Sequence, residues 1–206
     1  MKILIDSEYS VKYPYITEEM TEYLINTKLN NMKETIIMSD STSKINRENY
    51  ILRVADEKDI PLILEFIKKT ASYENMIDSV TATEERLRWS LFEKRIGTVI
   101  IGEYYNVPIS YAIFFYNFSS FDGKLGIYLE DIYVDQEFRG MGFARKLISY
   151  ISKIAVDNDY ERVEWACLNW NEEAIRSYKK MGAVPQKQWV IFKLSGNTLI
   201  ERANDD

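Results

Sequence analysis

The sequence predicts an α/β fold in which helices cover the faces of one mixed sheet. Short apolar segments, typical of strands, alternate with longer segments in which apolar residues recur every three or four positions, as on one helix face. A loop with two glycines separates one such strand from the helix that follows it. The 206 residues show no internal repeat, so we expect one main domain.

The predicted order of elements is β-α-α-β-β-β-α-β-α-β. Apolar runs predict strands, which lie at 50–55, at two places within 98–118, and at 126–135, 162–170 and 189–194. Helical periodicity predicts helices, which lie at 56–74, 81–94, 142–158 and 171–182. Asp56 is expected to cap the first helix, whose apolar face is predicted to hold Ile60, Ile63, Leu64 and Ile67. The face of the third helix is predicted to hold Ala144, Leu147, Ile148, Ile151 and Ala155.

Residues 1–49 differ in pattern from residues 50–206. Ile16, Met20 and Leu24 are spaced four apart, and Thr17 is a possible N-cap, which together predict one short amphipathic helix. Residues 39–49 are polar and rich in Ser, Thr and Asn, as linkers are. We therefore expect an N-terminal extension and linker at 1–49 and the folded domain at 50–206.

Composition excludes several classes of function. With a net charge of −6 and no basic stripe, a nucleic-acid partner is not expected. The absence of histidine excludes Ser-His-Asp catalysis and His-based metal sites, and the single Cys167 excludes cysteine-rich ones, so no metal is expected. Proton transfer then requires Asp, Glu, Tyr, Lys, water or a chain terminus. Apolar runs are too short for a membrane span or a signal-peptide core, so we expect a cytoplasmic protein without a membrane partner.

The loop Arg139-Gly140-Met141-Gly142 joins a predicted strand to a predicted helix. Backbone N–H groups at the start of a helix, together with the helix dipole, favour anions. Glycines allow the backbone to approach phosphate oxygens closely, and Arg139 supplies a positive charge. The pattern is neither a Walker A loop nor a Rossmann fingerprint. It indicates an anion site or a plain strand-to-helix connection.

Two adjacent carboxylates, Glu130 and Asp131, interrupt an apolar strand. The period of two predicts Glu130 on the face of Tyr128, Ile132 and Val134, with Asp131 on the opposite face. A buried carboxylate has a raised pKa, which suits a general base, although a structural ion pair would also explain these residues.

The helix at 171–182 begins with a good N-cap, Asn171, followed by Glu172 and Glu173 at the positive end of the helix dipole. Tyr178 lies seven residues after Asn171, two helical turns on, and so on nearly the same face. By itself this spacing is compatible with core packing as well as with catalysis.

Taken together, the strand, the Arg-Gly-x-Gly loop, the helix, the next strand, Trp170-Asn171 and Tyr178 resemble the GNAT superfamily of acetyl-CoA-dependent N-acetyltransferases. The resemblance is to its spermidine/spermine (diamine) acetyltransferase-like branch and bacterial relatives. It is carried by YLEDIYVDQEFRGMGFARKL, EWACLNWNEEAIRSYKKMGA and IPLILEFIKKTASYE, and covers roughly residues 50–200. It implies the GNAT acyl-CoA N-acyltransferase fold with a splayed central sheet, and a homodimer.

The resemblance also implies a binding site for acetyl-CoA. The pantetheine arm would pair with the backbone of Ile132, Tyr133 and Val134. The pyrophosphate would lie in the loop of Arg139, Gly140, Met141, Gly142, Phe143, Ala144 and Arg145. Further contacts to the cofactor would come from Asn171, Ala174 and Tyr178.

For the reaction, the resemblance implies Tyr178 as the general acid that protonates the departing thiolate. Glu130 would accept a proton from the substrate ammonium through a water. Contacts to the substrate are implied for Tyr73, Glu74, Glu130, Glu164, Trp165 and Ala166. An amine is mostly protonated at neutral pH and must lose a proton before attack, so a carboxylate and a tyrosine form a coherent pair in a chain without histidine. Cys167 has no base nearby in sequence, which favours direct attack in a ternary complex.

The sequence indicates only that the substrate is an amine. Polyamine-specific relatives carry an acidic residue shortly before the last Trp, whereas here Gln186, Lys187 and Gln188 precede Trp189. A diamine or a thialysine- or lysine-like amino acid therefore fits as well as spermidine. Two alternatives stay open: acetylation of a protein N-terminus or lysine, and a non-catalytic CoA-binding sensor module.

Overall fold

A computed structural model of the protein describes residues 49–204. The strands are β1 (Tyr50–Val54), β2 (Thr98–Tyr104), β3 (Val107–Ser119), β4 (Lys124–Val134) and β5 (Val163–Trp165). The α-helices are α1 (Ile60–Tyr73), α2 (Glu84–Leu87), α3 (Phe143–Asp157), α4 (Glu172–Lys180) and α5 (Asn197–Ala203). The predicted helix near Ile16 and most of the predicted linker lie outside the described residues.

The five strands form one sheet in the order β1-β2-β3-β4-β5. The pairs β1–β2, β2–β3 and β3–β4 are antiparallel. The Ile127 N–H donates to the Arg162 carbonyl (2.9 Å) and the Glu161 N–H donates to the Leu125 carbonyl (3.1 Å), so β4 and the segment entering β5 run in the same direction. The predicted mixed sheet is confirmed.

Helix α1 packs its apolar stripe against the sheet. Ile60 and Ile63 are fully buried, as predicted, and Phe66 and Thr70 are buried as well. Leu64 and Ile67, predicted for the same face, are only partly buried. Phe66 belongs to the same core cluster as Tyr111 of β3. Before α1, the Asp56 carboxylate accepts a hydrogen bond from the Lys58 N–H (2.8 Å), and the Asp59 carboxylate accepts one from the Asp56 N–H (2.8 Å), a reciprocal cap.

Helix α3 follows the glycine loop and buries the predicted face. Its buried residues are Phe143, Leu147, Ile148, Ile151 and Ala155, and Ala144 packs partly buried against the same core. Phe143 stacks on Tyr50 of β1 with ring centroids 4.3 Å apart. The start of α3 is therefore fixed on the sheet, which also fixes the loop in front of it.

Three predicted elements differ in the structure. The predicted strand at 162–170 is only Val163–Trp165 long, and the predicted helix at 81–94 is a short α-helix that continues as a π-helix, Arg88–Glu93. The prediction of a closing strand at 189–194 is wrong: this segment is irregular, with Phe192 91% exposed. A strand needs a hydrogen-bonded neighbour as well as an apolar pattern, and none of the described strands pairs with this segment.

The chain divides into two compact units, one ending at Glu164 and one starting at Trp165. All the described hydrophobic residues that are fully buried belong to the first unit. The second unit carries α4 and α5. Within residues 49–204, no helix combines the length and the apolarity that crossing a bilayer requires.

Candidate functional site

A β-bulge lies in the middle of β4 at Glu130. The register pairs Ile113 of β3 with Asp131 and the next residue, Phe114, with Leu129, so Glu130 is an extra residue without a partner on β3. Bulges bend a strand and redirect its side chains. The carboxylate pair that stands out in the sequence therefore lies at the point where the sheet is distorted.

The bulge changes which face Asp131 occupies. Tyr128 pairs with Phe115, and Asp131 pairs with Ile113. Because Phe115 and Ile113 are two residues apart on β3, Tyr128 and Asp131 lie on the same face. The prediction that Asp131 points away from the face of Tyr128 is wrong, since strict alternation does not hold across a bulge.

Asp131 is held by a buried tyrosine. The Tyr111 hydroxyl donates to Asp131 Oδ2 at 2.8 Å. Burial raises the pKa of the Asp131 carboxyl above its ordinary value, while the hydrogen bond from Tyr111 acts in the opposite direction. Burial, and after it the charge of Asp131, raises the pKa of Tyr111, so the phenol stays protonated and remains a donor. Sequence reasoning did not find Tyr111, because the partners are twenty positions apart on different strands.

Two more carboxyl groups are within electrostatic range of Asp131. Glu74 directly follows α1, and partial burial and the charge of Asp131 raise its pKa. Glu130 is exposed, and partial desolvation and the charge of Asp131 raise its pKa as well. Three carboxyl groups that each resist ionisation favour a cation beside them, because a positive charge relieves their repulsion. Within residues 49–204, no such cluster has a geometry that could hold a metal ion.

The predicted glycine loop joins β4 to α3. Gly140 (φ 75°) and Gly142 (φ 85°) both have left-handed backbone conformations, which explains the two glycines that flank Met141. A Cβ added at Gly140 would meet nothing within 4 Å, so this glycine is required by its backbone angle and leaves open space in front of the loop. Gly142 immediately precedes α3 and provides no capping side chain.

The backbone at the start of α3 is suited to bind an anion. The Lys146 N–H donates to the Gly142 carbonyl at 3.1 Å, which closes the first turn. The earlier N–H groups of a helix, here those of Phe143, Ala144 and Arg145, have no acceptor within the helix. Together with the helix dipole, these N–H groups provide donors and partial positive charge, which favour an anion.

Arg139 has a structural role that the sequence did not indicate. Its Nε donates to the Val134 carbonyl at 3.0 Å. Its guanidinium carbon lies 4.2 Å from the ring centroid of Tyr73 and 5.4 Å from that of Tyr133. Arg139 therefore joins the loop to the end of α1 and to β4, and its positive charge stays beside the loop.

Glu164, predicted to contact the substrate, is already paired. Its carboxylate accepts hydrogen bonds from Arg162 Nε (2.7 Å) and Asn117 Nδ2 (2.9 Å). Partial burial acts to raise the pKa of Glu164, but these hydrogen bonds and the charge of Arg162 outweigh it and lower the pKa. Glu164 is therefore an ionised carboxylate held in one position.

The second unit contains the other predicted residues. Asn171 is the N-cap of α4, and its side-chain oxygen accepts from the Ala174 N–H at 3.3 Å, as the sequence predicts. The half-buried Tyr178 packs edge-on against Trp165, with ring centroids 5.1 Å apart and an interplanar angle of 68°. Ala166 is exposed. The first unit thus brings together Tyr73, Glu74, Glu130, Tyr133 and the loop, and the second brings together Trp165 and Tyr178.

Comparison with known proteins identifies several relatives of this chain. The sequence profile of the acetyltransferase (GNAT) family matches residues 63–183, more than half of the chain. A thialysine N-epsilon-acetyltransferase of Bos taurus is 32% identical over 165 residues, which cover 74% of this chain and 96% of the relative. An L-ornithine N5-acetyltransferase of Arabidopsis thaliana is 28% identical over 72% of this chain and 85% of the relative.

The human spermidine/spermine N(1)-acetyltransferase-like protein 1 is 27% identical over 74% of this chain, which corresponds to 23% of that longer protein. Among solved structures, a predicted acetyltransferase with acetyl-CoA from Clostridium acetobutylicum superposes with a TM-score of 0.59. That pair is 19% identical and covers 70% of this chain and 96% of the neighbour, so the likeness is one of fold.

Proposed function

We propose a substrate class and a mechanism for this chain. The chain belongs to the acetyltransferase (GNAT) family and is an acetyl-transferring enzyme that acts on amines. The acetyl donor is acetyl-CoA. The acceptor is the primary amine of a small cationic molecule: a thialysine- or ornithine-like amino acid, a diamine or a polyamine. The cluster of Glu74, Glu130 and Asp131 is the observation that carries this proposal.

The charge of the cluster matches such an acceptor. The pKa values of Glu74, Glu130 and Asp131 are all raised by burial or partial desolvation, and those of Glu74 and Glu130 also by the charge of Asp131. A substrate with an amine and a second cationic group would neutralise this excess negative charge. Relatives that act on thialysine or ornithine, according to their names, support the same class.

The loop and the start of α3 fit the acyl donor. The open space before Gly140 and the N–H groups of Phe143, Ala144 and Arg145 would hold the pyrophosphate, with Arg139 and Met141 beside them. One edge of β4 is paired with β3, and the backbone of Ile132, Tyr133 and Val134 would pair with the pantetheine arm along the other edge. Asn171 and Ala174 would contact it near the thioester. Acetyl-CoA supplies an activated acetyl thioester when bound.

Proton transfer is assigned to two groups. Glu130 accepts the proton of the substrate ammonium through a water, and its raised pKa makes its carboxylate a better base than an ordinary glutamate. Tyr178 donates its phenolic proton to the sulfur of the leaving group. The amine attacks directly in a ternary complex, and Cys167 is not acylated.

We propose two groups of residues for contacts to the substrate. Tyr73 and Glu74 lie at the end of α1, and Glu164, Trp165 and Ala166 lie in and just after β5. Glu164 is held by Arg162 and Asn117, so it would act as a fixed anion. By family resemblance we also propose that residues 50–206 form the catalytic domain and that the protein is a homodimer, which light scattering after size-exclusion chromatography would test.

The test is a panel of acceptors incubated with acetyl-CoA, with release of CoA thiol as the readout. The panel contains thialysine, ornithine, lysine, putrescine, spermidine and peptides with free N-termini. We expect thiol release with the small cationic amines. Release with peptides alone would replace this proposal with protein acetylation, and no release with any member would refute it.

A matched pair of variants ties the result to the cluster. Glu74→Gln removes one charge of the cluster, and the exposed Glu85 of α2 offers the control Glu85→Gln. We expect Glu74→Gln to raise the KM of the amine on the order of tenfold and to leave the KM of acetyl-CoA unchanged. Glu85→Gln should change neither.

A further inference from the structure

Tyr111 is a polar residue buried beneath the proposed amine site. Its side chain is 0% exposed. Its ring stacks on Phe66 of α1, with centroids 5.1 Å apart and an interplanar angle of 9°. Packing of this kind fixes the ring, so the position of the hydroxyl is fixed as well.

The Tyr111 hydroxyl is one link in a chain of hydrogen bonds. It donates to Asp131 Oδ2 at 2.8 Å and lies 3.1 Å from Thr70 Oγ1. The Thr70 hydroxyl lies 2.9 Å from the Phe66 carbonyl, to which it donates. Each hydroxyl has a single proton, so when Asp131 is ionised the Tyr111 proton is committed to the carboxylate. Thr70 then shares its proton between the Phe66 carbonyl and the Tyr111 oxygen.

This chain links α1 to the bulge of β4. Thr70 is on the last turn of α1, four residues before Glu74. Tyr111 is on β3, and Asp131 follows the bulge residue Glu130. The groups that face Asp131 are thus Tyr111 from β3, Glu74 from the end of α1 and Glu130 from its own strand. Two of these neighbours repel its charge, and Tyr111 stabilises it.

We propose that Tyr111, supported by Thr70, is a positioning residue that holds the Asp131 carboxylate in place as the anchor for a cationic group of the acceptor. The proposal rests on the proposed function for its ligand, a small cationic amine. It assigns no chemical step to Tyr111, which reaches the substrate only through Asp131. Loss of the hydroxyl therefore weakens amine binding more than it slows turnover of bound substrate.

The pH dependence has a defined direction. Burial raises the pKa of Asp131, and the hydrogen bond from Tyr111 partly offsets that rise. Removal of the hydroxyl raises the pKa of Asp131 further. Because a cation is anchored by the ionised carboxylate, the acidic limb of kcat/KM for the amine moves to higher pH.

The experiment compares Tyr111→Phe with a matched control, Tyr50→Phe. Tyr50 is also a buried tyrosine of the sheet, and its hydroxyl is paired at 2.7 Å with the hydroxyl of Ser110, not with a carboxylate. Both variants lose a buried hydrogen bond, and both keep the ring. We expect Tyr111→Phe to raise the KM of the amine on the order of tenfold and to change kcat less. The acidic limb of its kcat/KM profile should move to higher pH. Tyr50→Phe should leave KM, kcat and the pH profile of kcat/KM as in the wild-type protein.

Two further variants test the support from Thr70. Thr70→Val removes its hydroxyl at nearly constant volume, and Thr70→Ser retains it. Thr70→Val should shift the pH profile of kcat/KM in the same direction as Tyr111→Phe. Thr70→Ser should have the pH profile of the wild-type protein. A shift of equal size in both Thr70 variants would contradict a role for the hydroxyl.

A readout without turnover separates this proposal from the proposed function. The ¹³Cγ resonance of Asp131, assigned by its loss in Asp131→Asn, is titrated in the wild-type protein, Tyr111→Phe and Tyr50→Phe. A higher pKa of Asp131 in Tyr111→Phe alone supports the positioning role, even if no amine in the panel is acetylated. An unchanged pKa of Asp131 overturns it, even if the enzyme acetylates every amine tested.

Discussion

The guanidinium carbon of Arg139 lies 4.2 Å from the ring centroid of Tyr73, which joins the glycine loop to the end of α1. We propose different tasks for the two residues: Arg139 holds the acyl donor and Tyr73 contacts the amine. If so, their stacking joins the two proposed binding regions by a direct contact. A change at one of them is therefore expected to affect the other.

This coupling is measurable with a double-mutant cycle. Arg139→Ala and Tyr73→Leu each remove the stacking, and Tyr73→Phe keeps the ring. We expect a coupling energy of about 0.5–1 kcal/mol between Arg139→Ala and Tyr73→Leu, from isothermal titration with CoA. Additive effects would show that the stacking has no part in CoA binding, and Tyr73→Phe, which keeps the ring, should bind CoA with nearly the wild-type affinity.

The glycine loop offers a second matched pair. Gly140 (φ 75°) and Gly123 (φ 65°), at the β3–β4 turn, have similar backbone angles and open space where a Cβ would be. Alanine at either position is strained and should lower the free energy of unfolding by about 1–2 kcal/mol. Only Gly140→Ala should also weaken CoA binding, by about tenfold or more. Equal CoA affinity in the two variants would place the pyrophosphate elsewhere.

Asp131→Asn should stabilise the protein at neutral pH and lower its activity. Burial raises the folded-state pKa of Asp131 above its unfolded value, so this group favours folding at low pH. That contribution is lost as the pH rises through the folded-state pKa, where the buried charge must form. Asparagine removes the charge and still accepts the hydrogen bond from Tyr111. We expect a gain on the order of 1 kcal/mol in urea unfolding at pH 7 that shrinks toward acidic pH.

The pH dependence of the gain in stability of Asp131→Asn tests this explanation. Glu74→Gln should show the same trend, since burial and the charge of Asp131 raise the pKa of Glu74 too. A stability difference that stays constant between about pH 3 and pH 8 would contradict the buried-charge account.

Tyr178→Phe tests the proposed general acid. Phenylalanine keeps the ring that packs edge-on against Trp165, so α4 should stay in place. Turnover should fall roughly a hundredfold, the usual contribution of a general acid, while CoA affinity measured by titration changes less than twofold. Turnover equal to that of the wild-type protein would remove Tyr178 from the mechanism.

Much of the fold follows from local pattern. The sequence predicts the buried face of α3, part of that of α1, the cap at Asp56 and the glycine loop before α3. Each of these features depends on neighbours within a few positions. The segment at 189–194 does not follow its local pattern. Its apolar pattern is that of a strand, but a strand also requires a partner, and pattern does not specify one.

By itself the sequence determined the order of most elements, the glycine loop before α3 and the position of two carboxylates in a core strand. Only the tertiary structure decided where the side chains of those carboxylates lie and what they contact. The bulge at Glu130 places Asp131 on the face of Tyr128, and pairing with β3 brings Tyr111 beneath Asp131. Strand register and burial depend on contacts between distant residues, and a one-residue irregularity reverses which side chains face the site.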